Sequence, residues 1–269
     1  MGSSAVCYGV RVGLRGSTAA SLGQLKAWLP RAARPSRVSV VDGLYSLILG
    51  GAGPRSGVKT FHILYRNATR LARSFDLGEI RRAFERDLSM LIGENAMDRV
   101  FVHAGVVGIG DGAILVPGKS FSGKTTLIHA LVEQGGVYYS DEFAVLDSRG
   151  NVFPWAEPLS IRRHGPRKAG EPRSAESLGM AIGRRSLPVR MVVLTCYEAG
   201  RRFRPKAVGP GQGVLGLLEN TMSAQRNPRA ALRALTSVVS GASVVSGPRG
   251  EATSTARIIR RMIEATLPA

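Results

Sequence analysis

The sequence predicts an α/β protein, leaning to α+β, built around a phosphate-binding loop. Three observations lead there. Ala113–Glu133 reads as an apolar strand, a glycine loop and a helix in direct succession. From about Arg99 onward, short apolar strands and helical patterns follow one another to the end of the chain. Just before the loop, Gly108-Ile109-Gly110-Asp111-Gly112 separates two of those strands as a hairpin signal.

Composition bounds the rest. At 269 residues the chain is long enough for one large domain, or a domain with a sizeable appendage. Hydrophobic residues make up 44%, and no apolar run approaches the roughly 18–20 residues that span a bilayer. Arg11 and Arg15 fall where a secretory signal needs its apolar region. Met1-Gly2-Ser3-Ser4-Ala5 opens like a myristoylation site, but Val6 stands where Ser or Thr is required. Cys7 and Cys196 are far apart with no metal spacing, so the expectation is reduced thiols in a cytoplasmic protein without membrane association.

The net charge is +18, carried mostly by arginine. Such a charge can mark a nucleic-acid or acidic partner. Here the basic residues are spread from Arg11 to Arg261, with only short clusters such as Arg162-Arg163 and Arg201-Arg202, and no recognised nucleic-acid module accompanies them. The charge is read as composition, since Ala, Gly and Arg are abundant together. No nucleic-acid partner is expected.

Residues 1–95 read as an N-terminal α/β region whose sequence carries no recognisable chemistry. Val6–Leu14 and Arg37–Leu49 are expected strands, and Ser17–Leu29 a short helix stopped by Pro30. Gly50–Gly57 is a Gly/Pro turn, and Val58–Arg66 alternates as a strand. Leu77–Ile92 is the clearest helix, with Ile80, Phe84, Leu88, Leu91 and Ile92 on one face. His62 reads as an ordinary strand residue.

Residues 96–269 read as the catalytic domain. Val100–Gly108 and Gly112–Pro117 are strands leading into the loop, and Thr126–Glu133 is the helix after it, with Leu127, Ile128, Leu131 and Val132 at helical spacing. Val137–Ser140 and Phe143–Asp147 are strands flanking Asp141-Glu142, and Ser148–Asn151 is a turn. Pro154 and Pro158 break Val152–Arg162. The polar stretch Gly165–Gly179 suits a lid or substrate loop. Leu187–Tyr197 is a buried strand, Gly211–Met222 and Pro228–Val239 are helices, Ala242–Val245 is a last strand and Gly250–Leu267 a terminal helix.

The loop spells Gly118-Lys119-Ser120-Phe121-Ser122-Gly123-Lys124-Thr125, followed by Thr126, a full match to G-x-x-x-x-G-K-[ST]. Backbone N–H groups of such a loop wrap a β-phosphate, and the helix behind adds unpaired amides and its positive end. Lys124 is expected at the β- and γ-phosphates and the Thr125 hydroxyl on Mg²⁺. The Asp141-Glu142 pair ends a strand expected to run beside the one that feeds the loop, which would aim its carboxylates at the γ-phosphate and metal. A kinase needs one carboxylate to take a proton and another to hold metal. His103 closes the strand Val100–Val102 and could adjust the protonation of the pair. His129, inside the helix, reads as structural, and His164 has no assigned role.

These residues resemble the catalytic domain of HPr kinase/phosphorylase and the wider group of HPr-kinase-like serine kinases. The resemblance runs through Val102-His103-Ala104-Gly105-Val106, the loop, Gly136-Val137-Tyr138-Tyr139-Ser140-Asp141-Glu142 and Pro158-Leu159-Ser160-Ile161-Arg162. It implies a fold shared with ATP-type phosphoenolpyruvate carboxykinase, a mixed sheet carrying the loop. It also implies that Asp141 is the proton acceptor, assisted by His103, and that Glu142 joins Thr125 on Mg²⁺. Phe121 stands where the family usually has glycine, Glu142 where it has a second aspartate, and the family's glutamate before Ile-Arg is replaced by Ser160. Residues 1–95 do not resemble the family's regulatory domain.

The functional expectation is therefore a kinase using ATP and Mg²⁺ that phosphorylates a hydroxyl, a serine on a small protein or peptide; nothing in the sequence excludes a homo-oligomer. Two readings stand beside it. A P-loop ATPase would use Met191–Leu194 as its metal-side strand, but only Glu198 lies near that strand's end. A nucleotide-binding module that has lost its chemistry would explain Phe121 and Glu142.

Overall fold

Tyr8 and Gly9 both take positive φ, 48° and 84°, and fold the first apolar run back on itself. Left-handed residues at both turn positions match the twist of two strands joined by two residues. The single strand expected over Val6–Leu14 is therefore a hairpin of β1 (Gly2–Cys7) and β2 (Val10–Gly16). The structure is a computed structural model that describes residues 1–51, 60–118, 122–155, 159–160, 172–173, 179–222 and 224–266. It divides into two compact units, Met1–Asp98 and Arg99–Ala269.

In the first unit, β2 runs into α1 (Ala19–Ala27), whose start is fixed by a reciprocal cap. The Ser21 N–H donates to Thr18 Oγ1 at 3.1 Å, and the Thr18 N–H donates to Ser21 Oγ at 2.9 Å. The helix crosses to β4 (Gly43–Ile48), parallel to β2. With β3 (Arg34–Ser36), β5 (His62–Arg66) and β6 (Thr69–Ser74) they form a mixed sheet in the order β3-β1-β2-β4-β5-β6. The strand expected from Arg37 begins only at Gly43. Asp42 is instead turned to Arg11, accepting from its backbone N–H and from its guanidinium, each at 2.7 Å. Most of the Gly50–Gly57 turn, and Val58 and Lys59, lie outside the described residues.

α2 (Leu77–Asn95), capped by Asp76, covers this sheet. Its Ile80, Phe84, Leu88 and Ile92 are buried, each worth roughly 1.5–3 kcal/mol on removal from water. Phe84 meets Tyr45 edge-on at 4.9 Å, and the Tyr45 hydroxyl donates to Asp87 at 2.7 Å.

In the second unit, β7 (Val100–Ile109) and β8 (Gly112–Pro117) form the expected hairpin. β8 leads through the loop to α3 (Lys124–Glu133), then β9 (Val137–Ser140), β10 (Phe143–Leu146) and β11 (Asn151–Phe153). The short pair β12 (Leu159–Ser160) and β13 (Pro172–Arg173) stands apart. There follow β14 (Leu187–Leu194), β15 (Lys206–Ala207), α4 (Pro210–Leu218), α5 (Pro228–Gly241), β16 (Ser243–Ser246) and α6 (Ala252–Glu264).

The sheet is mixed, in the order β11-β10-β7-β8-β14-β16-β15, with β9 also on β7. β8 runs parallel to β14, and β14 to β16; β7 is antiparallel to β8, β9 and β10. β11 pairs with both β10 and the start of β14, so five strands close on one another. Residues 181–183 take the outer side of β9 through the Tyr138 N–H and C=O. Alternate strand residues feed two cores. Val107, Ile114, Val116, Met191 and Val193 pack with α3 and α6; Val102, Val106, Leu115, Val189 and Val192 pack with α4 and α5. The expected α/β class holds. No described helix is long and apolar enough to cross a membrane.

Candidate active site

β8 ends at Pro117, and the next residue, Gly118, donates its N–H to the His103 carbonyl of β7 at 3.0 Å. Lys119, Ser120 and Phe121 lie outside the described residues. The chain returns at Ser122, and Gly123 caps α3 in the left-handed region, φ 78°, which disfavours a Cβ. The helix starts at Lys124, two residues before the expected Thr126. No described side chain caps it, so the N–H groups of its first turn are left for an anion. Lys124 Nζ folds back onto the Gly118 carbonyl at 2.6 Å. Burial holds its pKa below the ordinary lysine value, against the opposing pull of Glu142 and Asp141.

The Thr125 hydroxyl donates to Asp141 Oδ2 at 3.0 Å, and the Tyr138 hydroxyl donates to Asp141 Oδ1 at 2.9 Å. Asp141 is 8% exposed. Burial raises its pKa, an effect that the two hydroxyl donors and Lys124 oppose and Glu142 reinforces. Glu142 differs: its side chain is 44% exposed, and Oε1 lies 3.8 Å from His103 Nδ1. That is an ion-pair distance only if His103 is protonated, and too long for a hydrogen bond. Burial, then the charge of Lys124, lowers the His103 pKa, which favours the neutral ring.

The strand bearing these acids does not run beside β8, as the sequence reading expected. β7 lies between them. β9 and β10 follow β7 in succession, Ser140 opposite Val106 and Phe143 opposite His103, with Asp141-Glu142 in the gap. Thr125 still reaches across because α3 lies close on β7. A Cβ at Gly105 would come within 2.4 Å of Ile128 Cγ1, so a glycine mid-strand lets the helix settle.

His103 is held from its other side by the segment after α4. Its N–H donates to the Asn220 carbonyl at 2.7 Å, and Val102 bridges to Thr221. That pairing ends α4 at Leu218, short of the expected Met222. His103 Nδ1, Asn220 Oδ1 and Ser122 Oγ are buried without hydrogen-bond partners among the described residues. His129 is clear of this cluster and pairs with Glu133 at 3.2 Å. His164 and most of Gly165–Gly179 lie outside the described residues, as do Pro158, Ile161 and Arg162.

The strand β14, beside β8, offers nothing acidic at its end. Thr195 donates to the Gly247 carbonyl at 2.8 Å, and Glu198 is taken by Arg201 at 2.8 Å. Three contributors escaped the sequence reading. Gly105 and Tyr138 stood in strands already identified, yet only their cross-element contacts give them roles. Arg249, between β16 and α6, donates through Nη2 to the carbonyls of Gly123 at 2.9 Å and Ser122 at 3.3 Å; one arginine among many carries no sequence signal.

The described residues contain no group of three or more His, Cys, Asp or Glu able to cage a metal. Mg²⁺ does not need one, since it usually takes one or two carboxylates, waters and substrate phosphates. A threonine hydroxyl and an aspartate oxygen 3.0 Å apart fit that requirement.

No family profile matches the chain, and no curated protein matches its sequence. Among solved structures, the chain is similar to the HPr(Ser) kinase/phosphatase from Coxiella burnetii at 12% identity and a TM-score of 0.31, over 62% of this chain and 95% of that one. A likeness at that score carries nothing on substrate or mechanism.

Proposed function

We propose that the second unit binds ATP with Mg²⁺ and transfers the γ-phosphoryl group to a serine hydroxyl of a small protein or peptide. One observation carries the reading: the Thr125–Asp141 hydrogen bond joins the phosphate-loop motif to the acid pair at a single point. Lys124 and the first amides of α3 hold the phosphates. Thr125 and Asp141 supply the protein oxygens for Mg²⁺, which screens the phosphate charge.

The geometry favours Glu142 as the proton acceptor. It is the more exposed carboxylate, open to an incoming hydroxyl, and His103 stands beside it. This reverses the split of roles that the family resemblance implies. A metal-dependent ATPase is the lesser reading, because the strand beside β8 ends without a free carboxylate.

The experiment is transfer of labelled γ-phosphate to serine-containing peptides and small proteins, with the product tested for acid-stable phosphoserine. Labelled phosphoserine is the expected result. Release of inorganic phosphate alone, with every acceptor offered, would move the function to hydrolysis.

A further inference from the structure

Arg249 is 2% exposed; the Glu251 carboxylate favours its charge but is hydrogen-bonded to Tyr197 instead. A guanidinium this deep is costly to desolvate and ordinarily sits against an acid. Its partners here are backbone carbonyls, those of Ser122, Gly123 and Gly250 (3.2 Å), together with the Tyr197 ring 5.6 Å away. Nε has no partner. Glu251 takes the Tyr197 hydroxyl at 3.3 Å. The arginine also stands at the N-terminal end of α3, where the helix dipole repels a cation. Lys124, the helix end and Arg249 thus meet at one loop, with Asp141 and Glu142 acting on Lys124 and Glu251 on Arg249.

We propose that Arg249 is a positioning residue of the phosphate loop: by holding the Ser122 and Gly123 carbonyls, it turns the N–H groups of Gly123 and Lys124 toward the bound phosphates. A trans peptide points its C=O and N–H in opposite directions, and the described residues contain no cis bond. The Ser122–Gly123 and Gly123–Lys124 peptides both give their oxygens to Arg249, so both N–H groups face away from it. Gly123 is fitted to this contact twice over. Its φ is left-handed, and a Cβ there would lie 2.6 Å from Arg249 Nη2. Burial works against the arginine's own charge, an effect that Tyr197, Cys196 and Glu251 oppose.

This inference rests on the nucleotide reading, and calorimetry on the full chain separates the two. MgADP and AMP are titrated into wild type, Lys124→Ala, Arg249→Met and Arg249→Lys. Arg249→Met is expected to weaken ADP about tenfold while leaving AMP nearly unchanged, because the loop amides meet the β-phosphate. Arg249→Lys, able to reach one carbonyl, recovers part of that loss. Equal weakening of ADP and AMP marks general damage and overturns the proposal, as does wild-type ADP affinity in Arg249→Met. Should Arg249→Met fail to fold, wild-type ADP affinity in Arg249→Lys overturns it instead. A wild-type protein that binds no ADP defeats the nucleotide reading itself; ADP binding that Lys124→Ala weakens and Arg249 variants do not defeats only the role of Arg249.

Discussion

The Thr125 hydroxyl donates to Asp141 at 3.0 Å, while Glu142 lies 3.8 Å from His103. The two neighbouring acids therefore face different partners, and their variants should fail differently. Asp141→Asn and Thr125→Val are expected to raise the Mg²⁺ concentration needed for half-maximal turnover. Glu142→Gln is expected to lower kcat by roughly 10²–10⁴-fold, the usual worth of a positioned base, with the Mg²⁺ titration unmoved. His103→Ala should cost less and shift the pH optimum. A Mg²⁺ requirement that rises with Glu142→Gln and not with Asp141→Asn would restore the split implied by the family resemblance.

Lys124 is 7% exposed and turned onto the loop it serves. Lys124→Ala should weaken MgATP binding at least about tenfold, a loss of about 1.4 kcal/mol, without unfolding the protein. Calorimetric titration beside a thermal melt checks both halves. An unchanged affinity would remove the phosphate loop from the reading.

The seat of α3 depends on a missing side chain. Gly105→Ala pushes a methyl group against Ile128, at a cost of about 1–3 kcal/mol for overpacking. The midpoint should fall roughly 2–4 °C per kcal/mol in a chain of this size. Trimming the opposing side chain with Ile128→Val should recover part of the fall. A melt indifferent to Gly105→Ala would mean that the helix has room to lift.

The two thiols should behave oppositely. Cys196 is exposed and Cys7 buried. Burial, then the charge of Asp98, pushes the Cys7 thiol from 9.0 up to about 12, with Arg34 opposing. Native protein at pH 8 should react with Ellman's reagent at Cys196 alone, and at both after unfolding. Between pH 9.0 and about 12 the unfolded chain releases the Cys7 proton and the folded chain keeps it. Stability should therefore fall as pH rises through that window. Cys7→Ala should flatten that fall. Rapid native modification of Cys7 would contradict its burial.

Patterns that close over short distances were legible in the sequence. The apolar face of Ile80, Phe84, Leu88, Leu91 and Ile92 announced α2, and the glycine-rich stretch after Gly108 announced the β7–β8 hairpin. The Tyr8-Gly9 turn was not legible, because tyrosine at positive φ is no ordinary turn signal. Nor was β6, whose Thr-Arg-Leu-Ala-Arg-Ser lacks a buried alternating face. At the site, the motif and the acids were named from local sequence. Which acid meets Thr125, what Tyr138 donates to and why Arg249 is buried all depend on strand neighbours, and strand order is not written in any one segment.

The closed pairing of β11 with β10 and β14, with residues 181–183 covering β9, has a consequence for how an acceptor can approach. Both stretches of chain flanking Asp141-Glu142 already have backbone partners on either side. An incoming segment cannot lengthen the sheet there by lying down as one more strand, the docking mode open to exposed sheet edges. Under the proposed kinase function, the acceptor serine would have to arrive end-on, carried at a turn or a free chain end. Recognition would then rest on side chains around the entrance, and the backbone of the acceptor would add little selectivity of its own.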